Sequence, residues 1–293
     1  MPRRAYVLLL AIPAAIACKS AHDYTPDEAC GNLAYERCTR LEQCSQTAVT
    51  TRFGDVTTCQ TRTKAGCVAA LAAPSTSQTA FQTELCAQAY LDWGCTDLLN
   101  DQNIPAACQP SPGGIADTQT CAFSGQCASD FCGILPAAAC GTCGPPPAAG
   151  DPCTFTSCGP GLICAGDVQM CVAPAPQGAP CGKGLPCELG LSCVGADDVA
   201  GTQGVCQLAV TKAGAACDPT RTTGPGCDPT AGLSCDPQSK TCVNAQVSAP
   251  TTAADGAACD VAKGPTCLAP ARCIIPSGGT SGTCQLASAA SCQ

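Results

Sequence analysis

The sequence has little charge, few aromatic side chains and a single histidine. Charged residues make up 12% of the chain and aromatic residues 3%, and alanine and cysteine inflate its 45% apolar content. A large aromatic core is therefore excluded. Because His22 is the only imidazole, a Ser-His-Asp or Cys-His catalytic site and a histidine-ligated zinc site are both disfavoured. We expect no enzyme activity, no metal and no cofactor.

Basic residues are also scarce. The formal net charge is −8, and without Arg3 and Arg4 the chain keeps 12 basic against 22 acidic residues, a balance of −10. Proteins that bind nucleic acid carry positive charge, which is concentrated in basic patches. We therefore predict no nucleic-acid partner, and the acidity is expected to keep the chain soluble.

Cysteine, in contrast, is abundant, with 31 in 293 residues. This density is typical of an exported chain in which disulfides replace a missing hydrophobic core. Such bridges form and persist only in an oxidising compartment. The predicted fold class is small and disulfide-rich, with an N-terminal α-helical disulfide-stapled domain followed by tandem short β-hairpin and loop cysteine repeats.

Residues 1–17 predict a signal peptide. A basic start is followed by 13 apolar residues at 5–17, about half of what a membrane-spanning helix needs. We therefore expect this leader to be removed on export.

The junction Ala15-Ile16-Ala17-Cys18 resembles a bacterial lipobox, with alanine where leucine is most common at its first position. The resemblance implies lipidation of Cys18, a tether over residues 18–24 and a lipid bilayer as partner. Setting Cys18 aside leaves 30 cysteines, an even number that can pair completely. The alternative is a freely secreted chain in which Cys18 is an ordinary first residue.

Residues 25–109 predict a helical cysteine domain. Thr25 and Glu28 form a capping-box pattern, and Pro26 suits the first helical position, so a first helix should run toward Cys44. Cysteines on its apolar stripe can staple it to a neighbouring helix.

Two further helices are predicted in this domain. One begins at Asp55 and runs toward Leu71. The third should carry Phe81, Leu85, Cys86, Ala89 and Trp93 on one face. In a domain this poor in aromatics, Tyr90 and Trp93 are predicted to be buried core residues.

The eight cysteines of this domain are expected to form four bridges among themselves, although eight cysteines allow 105 pairings and the connectivity stays open. They are Cys30, Cys38, Cys44, Cys59, Cys67, Cys86, Cys95 and Cys108.

The second half is a series of cysteine repeats. Four units begin with a glycine three residues before a cysteine, and the last three span residues 178–206, 214–242 and 256–293, the last including a C-terminal tail. Within each unit we favour first-to-third and second-to-fourth pairing. The four sets are Cys153, Cys158, Cys164 and Cys171; Cys181, Cys187, Cys193 and Cys206; Cys217, Cys227, Cys235 and Cys242; Cys259, Cys267, Cys273 and Cys284.

A glycine recurs before leucine between the second and third cysteines, at Gly161, Gly190 and Gly232. We expect it to serve a turn or a close approach of strands.

A denser cluster precedes these units: Cys121, Cys127, Cys132, Cys140 and Cys143. Together with the CGPGLIC segment at 158–164, residues 118–171 resemble the N-terminal cysteine-rich module of the Dickkopf family. The resemblance implies a small disulfide-rich fold, and the family's animal signalling role is not transferred. Gly159 stands where the family has a cysteine, so this copy has nine. One must pair outside, and Cys292 is the remaining odd cysteine.

The combination of lipobox, helical cysteine domain and repeats also resembles cysteine-rich lipoproteins of myxobacteria, a resemblance that implies no activity. We expect a non-enzymatic binding or structural module displayed at the cell envelope, with an extracellular protein or polysaccharide as partner. The alternatives are a secreted signalling-type ligand and a thiol-disulfide enzyme using Cys140-Gly141-Thr142-Cys143. That dithiol spacing lacks the strand and helix context that lowers thiol pKa values.

Overall fold

The computed structural model describes residues 23–135, 137–153, 158–245, 251–261, 263–276 and 278–292. It consists of an N-terminal helical region followed by short strand pairs, joined by disulfides throughout, which confirms the predicted fold class. Within these ranges, no helix has the length and apolarity needed to cross a membrane. The predicted signal peptide and the Cys18 lipidation site lie outside the described residues.

Local capping signals define the start of the first helix. Thr25 Oγ1 accepts a hydrogen bond from the Glu28 backbone N–H at 3.2 Å, and the Glu28 carboxylate accepts one from the Thr25 N–H at 2.9 Å. This is the predicted capping box, with Pro26 at the first helical position. The helices are α1 Pro26–Cys44, α2 Gln46–Phe53, α3 Val56–Leu71, α4 Ala80–Ala89 and α5 Cys95–Leu99.

Helix α3 begins after Asp55, as predicted. The Asp55 carboxylate accepts a hydrogen bond from the Thr58 backbone N–H at 2.7 Å, and this bond holds the pKa of Asp55 below its usual value. The short helices α2 and α5 were not predicted. Gly54 follows α2 with a φ of +85°, a conformation that favours glycine and ends the helix.

The helical core is small and includes disulfide sulfur. Helix α1 packs against α3 and α4 and buries Cys30, Ala34, Cys38 and Leu41 of its apolar stripe. One cluster consists of Cys38, Leu41, Val49, Phe53 and Cys59, and a second of Tyr90, Trp93 and Leu98.

The predicted apolar face of the third helix is wrong in part. Phe81 and Leu85 are exposed, whereas Thr83, Glu84 and Ala87 are buried. The polar side chains can be buried because they have partners. Glu84 accepts a hydrogen bond from Asn32 on α1 at 2.8 Å, and such pairing offsets the cost of desolvation.

All eight cysteines of the helical domain pair within it, as expected. Two bridges join α1 to α3, a third joins α1 to α5, and the fourth joins α4 to the chain before residue 109. The pairs are Cys30–Cys67, Cys38–Cys59, Cys44–Cys95 and Cys86–Cys108.

The second half contains five units of one design, one more than the sequence predicted. Each has two bridges among four cysteines, joined first-to-third and second-to-fourth, the pairing that we favoured. Unit 1 contains a fifth cysteine, Cys140, which takes no part in these two bridges. Units 1 to 5 span residues 118–143, 150–171, 178–206, 214–242 and 256–284. Their bridges are Cys121–Cys132 and Cys127–Cys143, Cys153–Cys164 and Cys158–Cys171, Cys181–Cys193 and Cys187–Cys206, Cys217–Cys235 and Cys227–Cys242, and Cys259–Cys273 and Cys267–Cys284.

Short strands carry the third and fourth cysteines of every unit. In every unit, the third and fourth cysteines face each other across an antiparallel pair. The strands are β1 Thr120–Cys121, β2 Cys132–Gly133, β3 Gly141–Cys143, β4 Ile163–Ala165, β5 Met170–Val172, β6 Pro180–Cys181, β7 Leu191–Val194, β8 Gly204–Leu208, β9 Leu233–Asp236, β10 Thr241–Asn244, β11 Thr252–Ala253, β12 Ala258–Cys259, β13 Thr266–Cys267, β14 Arg272–Ile274 and β15 Gly282–Gln285.

The glycine that opens each of units 2 to 5 has the same backbone conformation and makes the same hydrogen bond. Each one has a positive φ, between +79° and +91°, and its N–H donates to the carbonyl of the fourth cysteine of its unit. The bonds from Gly150, Gly178, Gly214 and Gly256 measure 2.7–2.8 Å. Thr118 makes the same bond in unit 1, to Cys143, with a φ of +71°. Unit 1 was missed because it opens with this threonine.

Candidate functional site

Units 1, 3, 4 and 5 contact the helical domain through hydrogen bonds. At unit 1, the Gly114 N–H donates to the Ser75 carbonyl at 2.8 Å, and Gln126 Nε2 donates to the Pro74 carbonyl at 2.9 Å. Gln126 is buried and its Oε1 also accepts from the Ala122 N–H. These bonds fix the first unit against the end of the helical domain.

Units 3 and 4 contact other parts of the same domain. The Leu189 N–H donates to Asn100 Oδ1 at 2.8 Å, and Ser45 Oγ donates to the Thr230 carbonyl at 2.6 Å. Asn100 and Ser45 are both buried. A buried polar side chain is costly without a partner, so these bonds make the repeats part of the stable fold.

Unit 5 is fixed by Arg62 of α3. Its guanidinium bonds both carboxylate oxygens of Asp255, one at 2.8 Å, and donates to the backbone carbonyls of Leu268 and Ala269 at 2.8 and 3.1 Å. The Arg62 hydrogen bonds lower the pKa of Asp255. Such a bidentate pair sets orientation as well as proximity, so the last unit is held firmly on the helical domain.

The fifteenth disulfide closes the series of repeats. Cys140 of unit 1 pairs with Cys292, with their Cα atoms 5.4 Å apart and 152 positions between them in the sequence. This is the connection from Cys292 to the 121–171 segment that the odd cysteine number predicted. Units 2 to 5 thus lie within one covalently closed loop.

A groove of about 550 Å³ lies where unit 5 returns to the helical domain. We call it the interdomain groove. Its helical side includes residues of α1 to α4, and its other side includes Pro270, Arg272, Leu286 and Ala287. Aromatic side chains are concentrated here, since four of the ten in the chain line it: Phe53, Tyr90, Trp93 and Phe123.

Tyr90 and Trp93 form the aromatic wall. Their ring centroids are 5.3 Å apart at an interplanar angle of 54°, and the Trp93 indole N–H donates to the Gln102 carbonyl at 3.1 Å. They are 8% and 7% exposed, which confirms the prediction of burial. Both also line the groove, a location that the sequence did not predict. The wall is therefore rigid and apolar.

Arg272 in β14 contributes an unpartnered cation to this groove. Its Nη1 is buried and has no hydrogen-bond partner in the described part of the chain. Burial lowers the pKa of the guanidinium. The two ion pairs found among the described residues involve Arg62 and Lys64 instead. The groove thus combines a largely apolar lining with a half-buried positive charge that forms no ion pair among the described residues.

A second cavity, of about 640 Å³, lies beside unit 1. Ser129 Oγ and Asp130 Oδ1 are buried here without hydrogen-bond partners among the described residues, and burial raises the pKa of Asp130. Gln102, Asn103 and Phe131 also line it. Its polar groups make it a secondary candidate for ligand binding.

The cysteines that were predicted to form disulfides are all bridged in the structure. All 30 cysteines from Cys30 to Cys292 are paired. Cys140 and Cys143, which have dithiol spacing, bond to Cys292 and Cys127 respectively and not to each other. The groove residues were missed because they lie far apart in sequence, and a lone Arg272 in a repeat carries no motif.

No protein-family model, curated protein or solved structure matches this chain. The resemblances to the Dickkopf module and to myxobacterial lipoproteins therefore stay predictions.

Proposed function

We propose that this chain is an exported, non-enzymatic binding module, tethered to a bacterial envelope by lipid on Cys18, that holds an extracellular ligand in the interdomain groove. The concentration of four of the ten aromatic side chains around one groove carries the proposal. Small-molecule sites are typically concave and apolar with a few polar groups, over about 300–1,000 Å³. The groove, at about 550 Å³, lies within that range.

Rigidity supports a binding role. The Arg62 hydrogen bonds hold unit 5 on the helical side of the groove, and the Cys140–Cys292 bridge fixes the segment that follows Leu286 and Ala287 to unit 1. A preformed site loses little conformational entropy when a ligand binds. The exported location is supported by the fifteen disulfides, because such bridges persist in oxidising compartments.

The binding proposal is tested by native mass spectrometry of the full chain purified with its disulfides intact. Wild type should carry a non-covalent ligand, and Ala287→Phe should lose it because the new ring fills the groove. Ala290→Phe is the matched control, since Ala290 is exposed and lies outside the groove lining. An adduct retained by Ala287→Phe, or absent from wild type, would contradict the proposal.

The tether is tested separately by detergent phase partition. Wild type should enter the detergent phase and Cys18→Ser the aqueous phase, because acyl chains supply the membrane affinity. Wild type found in the aqueous phase would instead favour the secreted alternative.

A further inference from the structure

The unpartnered cation of Arg272 indicates the chemistry of the ligand. A charged group withdrawn from water costs free energy unless an opposite charge or several hydrogen bonds compensate it. Arg272 Nη1 is buried without any such partner in the part of the chain that the structure describes. Arg272 lines the groove and is partly exposed as a residue, so an anion in the groove can approach its charge.

The charged side chains around the groove do not fill this role. Asp101 is exposed to solvent and forms neither of the ion pairs found among the described residues. Asp255 is bonded to Arg62. The other cation lining the groove, Arg37, already hydrogen-bonds Tyr90. Arg272 is thus the groove cation that has a buried donor without a hydrogen-bond partner among the described residues.

Most of the remaining lining is apolar, and Thr63 and Gln78 are its uncharged polar side chains. Leu33, Phe53, Ile104 and Leu286 line the groove together with the Tyr90 and Trp93 wall. A ligand with only polar groups would gain little from contact with this apolar surface. A ligand with an apolar body would bury it, and each Å² of apolar surface removed from water stabilises the complex by about 25 cal/mol. The ligand that fits has one anionic end and an apolar remainder.

We propose that the interdomain groove binds a monocarboxylate with an apolar body, its carboxylate on the Arg272 guanidinium and its apolar part against Trp93. The inference rests on the proposed binding function and names its ligand class. A planar carboxylate matches the guanidinium fork with two parallel hydrogen bonds. A polyanion is disfavoured, because the chain without its leader has a net charge of −10.

The fluorescence of Trp93 can report ligand binding in the groove, since Trp93 is the only tryptophan in the chain. Dodecanoate, kept below its micelle-forming concentration, should change the Trp93 fluorescence in a saturable manner when titrated into the full oxidised protein. Dodecanol has the same chain without the charge and should bind about tenfold or more weakly, because it loses the charge-assisted bonds. Dodecyltrimethylammonium should not bind.

Variants locate the carboxylate. Arg272→Gln should weaken dodecanoate binding about tenfold or more and bring it close to dodecanol. Arg221→Gln, at an exposed arginine outside the groove, should leave the affinity unchanged. Arg272→Met provides a second test, because it removes the desolvated charge and retains apolar packing, so it should fold and also lose the preference for dodecanoate.

Each result distinguishes this inference from the binding function on which it rests. Equal affinity for dodecanoate and dodecanol, or full dodecanoate affinity in Arg272→Gln and Arg272→Met, would overturn the carboxylate assignment. A neutral ligand found in wild type and absent from Ala287→Phe would overturn the assignment while leaving the binding function in place.

Discussion

At the scale of single residues, backbone conformation defines the repeats more strictly than side chains do. Units 2 to 5 open with a glycine at positive φ whose N–H bonds the carbonyl of the fourth cysteine. Thr118 adopts the same conformation in unit 1, with a φ of +71°. A β-branched residue is rarely found there, because its Cβ crowds the backbone.

Thr118→Gly should therefore stabilise unit 1. Relief of the left-handed conformation contributes about 1–2 kcal/mol, and the greater freedom of glycine in the unfolded chain offsets about 0.5–1 kcal/mol of it. Hydrogen exchange at the Cys143 amide, which donates to the Gln119 carbonyl at 2.9 Å, should slow severalfold. Thr120→Gly, in an extended strand, is the control and should speed it. Faster exchange in Thr118→Gly would contradict this account.

Local sequence signals predicted the conformation of several residues. The Thr25 and Glu28 cap, the Asp55 cap and the glycines before leucine depend on bonds or dihedral angles set within a few positions. The exposure of Phe81 was not predictable in this way. It depends on which face of α4 meets α1, and that face is chosen by the Asn32–Glu84 hydrogen bond between distant segments.

At the scale of elements, the two halves depend on disulfides to different degrees. Helices have internal hydrogen bonds, caps and an apolar stripe, whereas the core of a unit consists largely of its own cystines. In unit 1, the buried cluster is Cys121, Cys127, Cys132 and Cys143. A segment of this length cannot offset its conformational entropy without bridges.

Reduction of the disulfides should therefore affect the two halves differently. After treatment with a thiol reductant, circular dichroism should retain part of the helical signal, and protease should cut rapidly beyond residue 115. The oxidised chain, digested in parallel, is the control. Equal resistance of both halves after reduction would show that the repeats have a sufficient apolar core of their own.

The pairing within units 2 to 5 was predicted from their regular four-cysteine repeat, and in the structure the third and fourth cysteines of a unit face each other across a strand pair. Unit 1 was not predicted from this spacing. Its opener is a threonine, and Cys140 interrupts the four-cysteine pattern of Cys121 to Cys143. Only the three-dimensional pairing shows that Cys140 belongs to another bridge.

At the scale of the whole molecule, the repeats are a closed arrangement around the helical domain and not a free string. Contacts from Gln126, Leu189, Thr230 and Asp255 join units 1, 3, 4 and 5 to that domain. The interdomain groove forms only when unit 5 returns to α3. Arg272 and Trp93 could not be associated from sequence, since 178 positions separate them and neither belongs to a motif.

The Cys140–Cys292 bridge is the covalent basis of this arrangement. In the chain-entropy description, closing a loop of about 100 residues contributes about 4.7 kcal/mol, and bridges inside the loop reduce that value. The bond therefore stabilises the closed form and limits how far units 2 to 5 can move away from the helical domain.

Peptide mapping without reductant tests the closed arrangement most directly. After proteolysis of the oxidised full chain, mass spectrometry should find a peptide containing Cys292 joined to one containing Cys140, and reductant should separate the two. The Cys30–Cys67 pair serves as an internal standard for intact bridges. Cys292 joined to a cysteine of units 3 to 5, or found as a free thiol together with Cys140, would contradict the account.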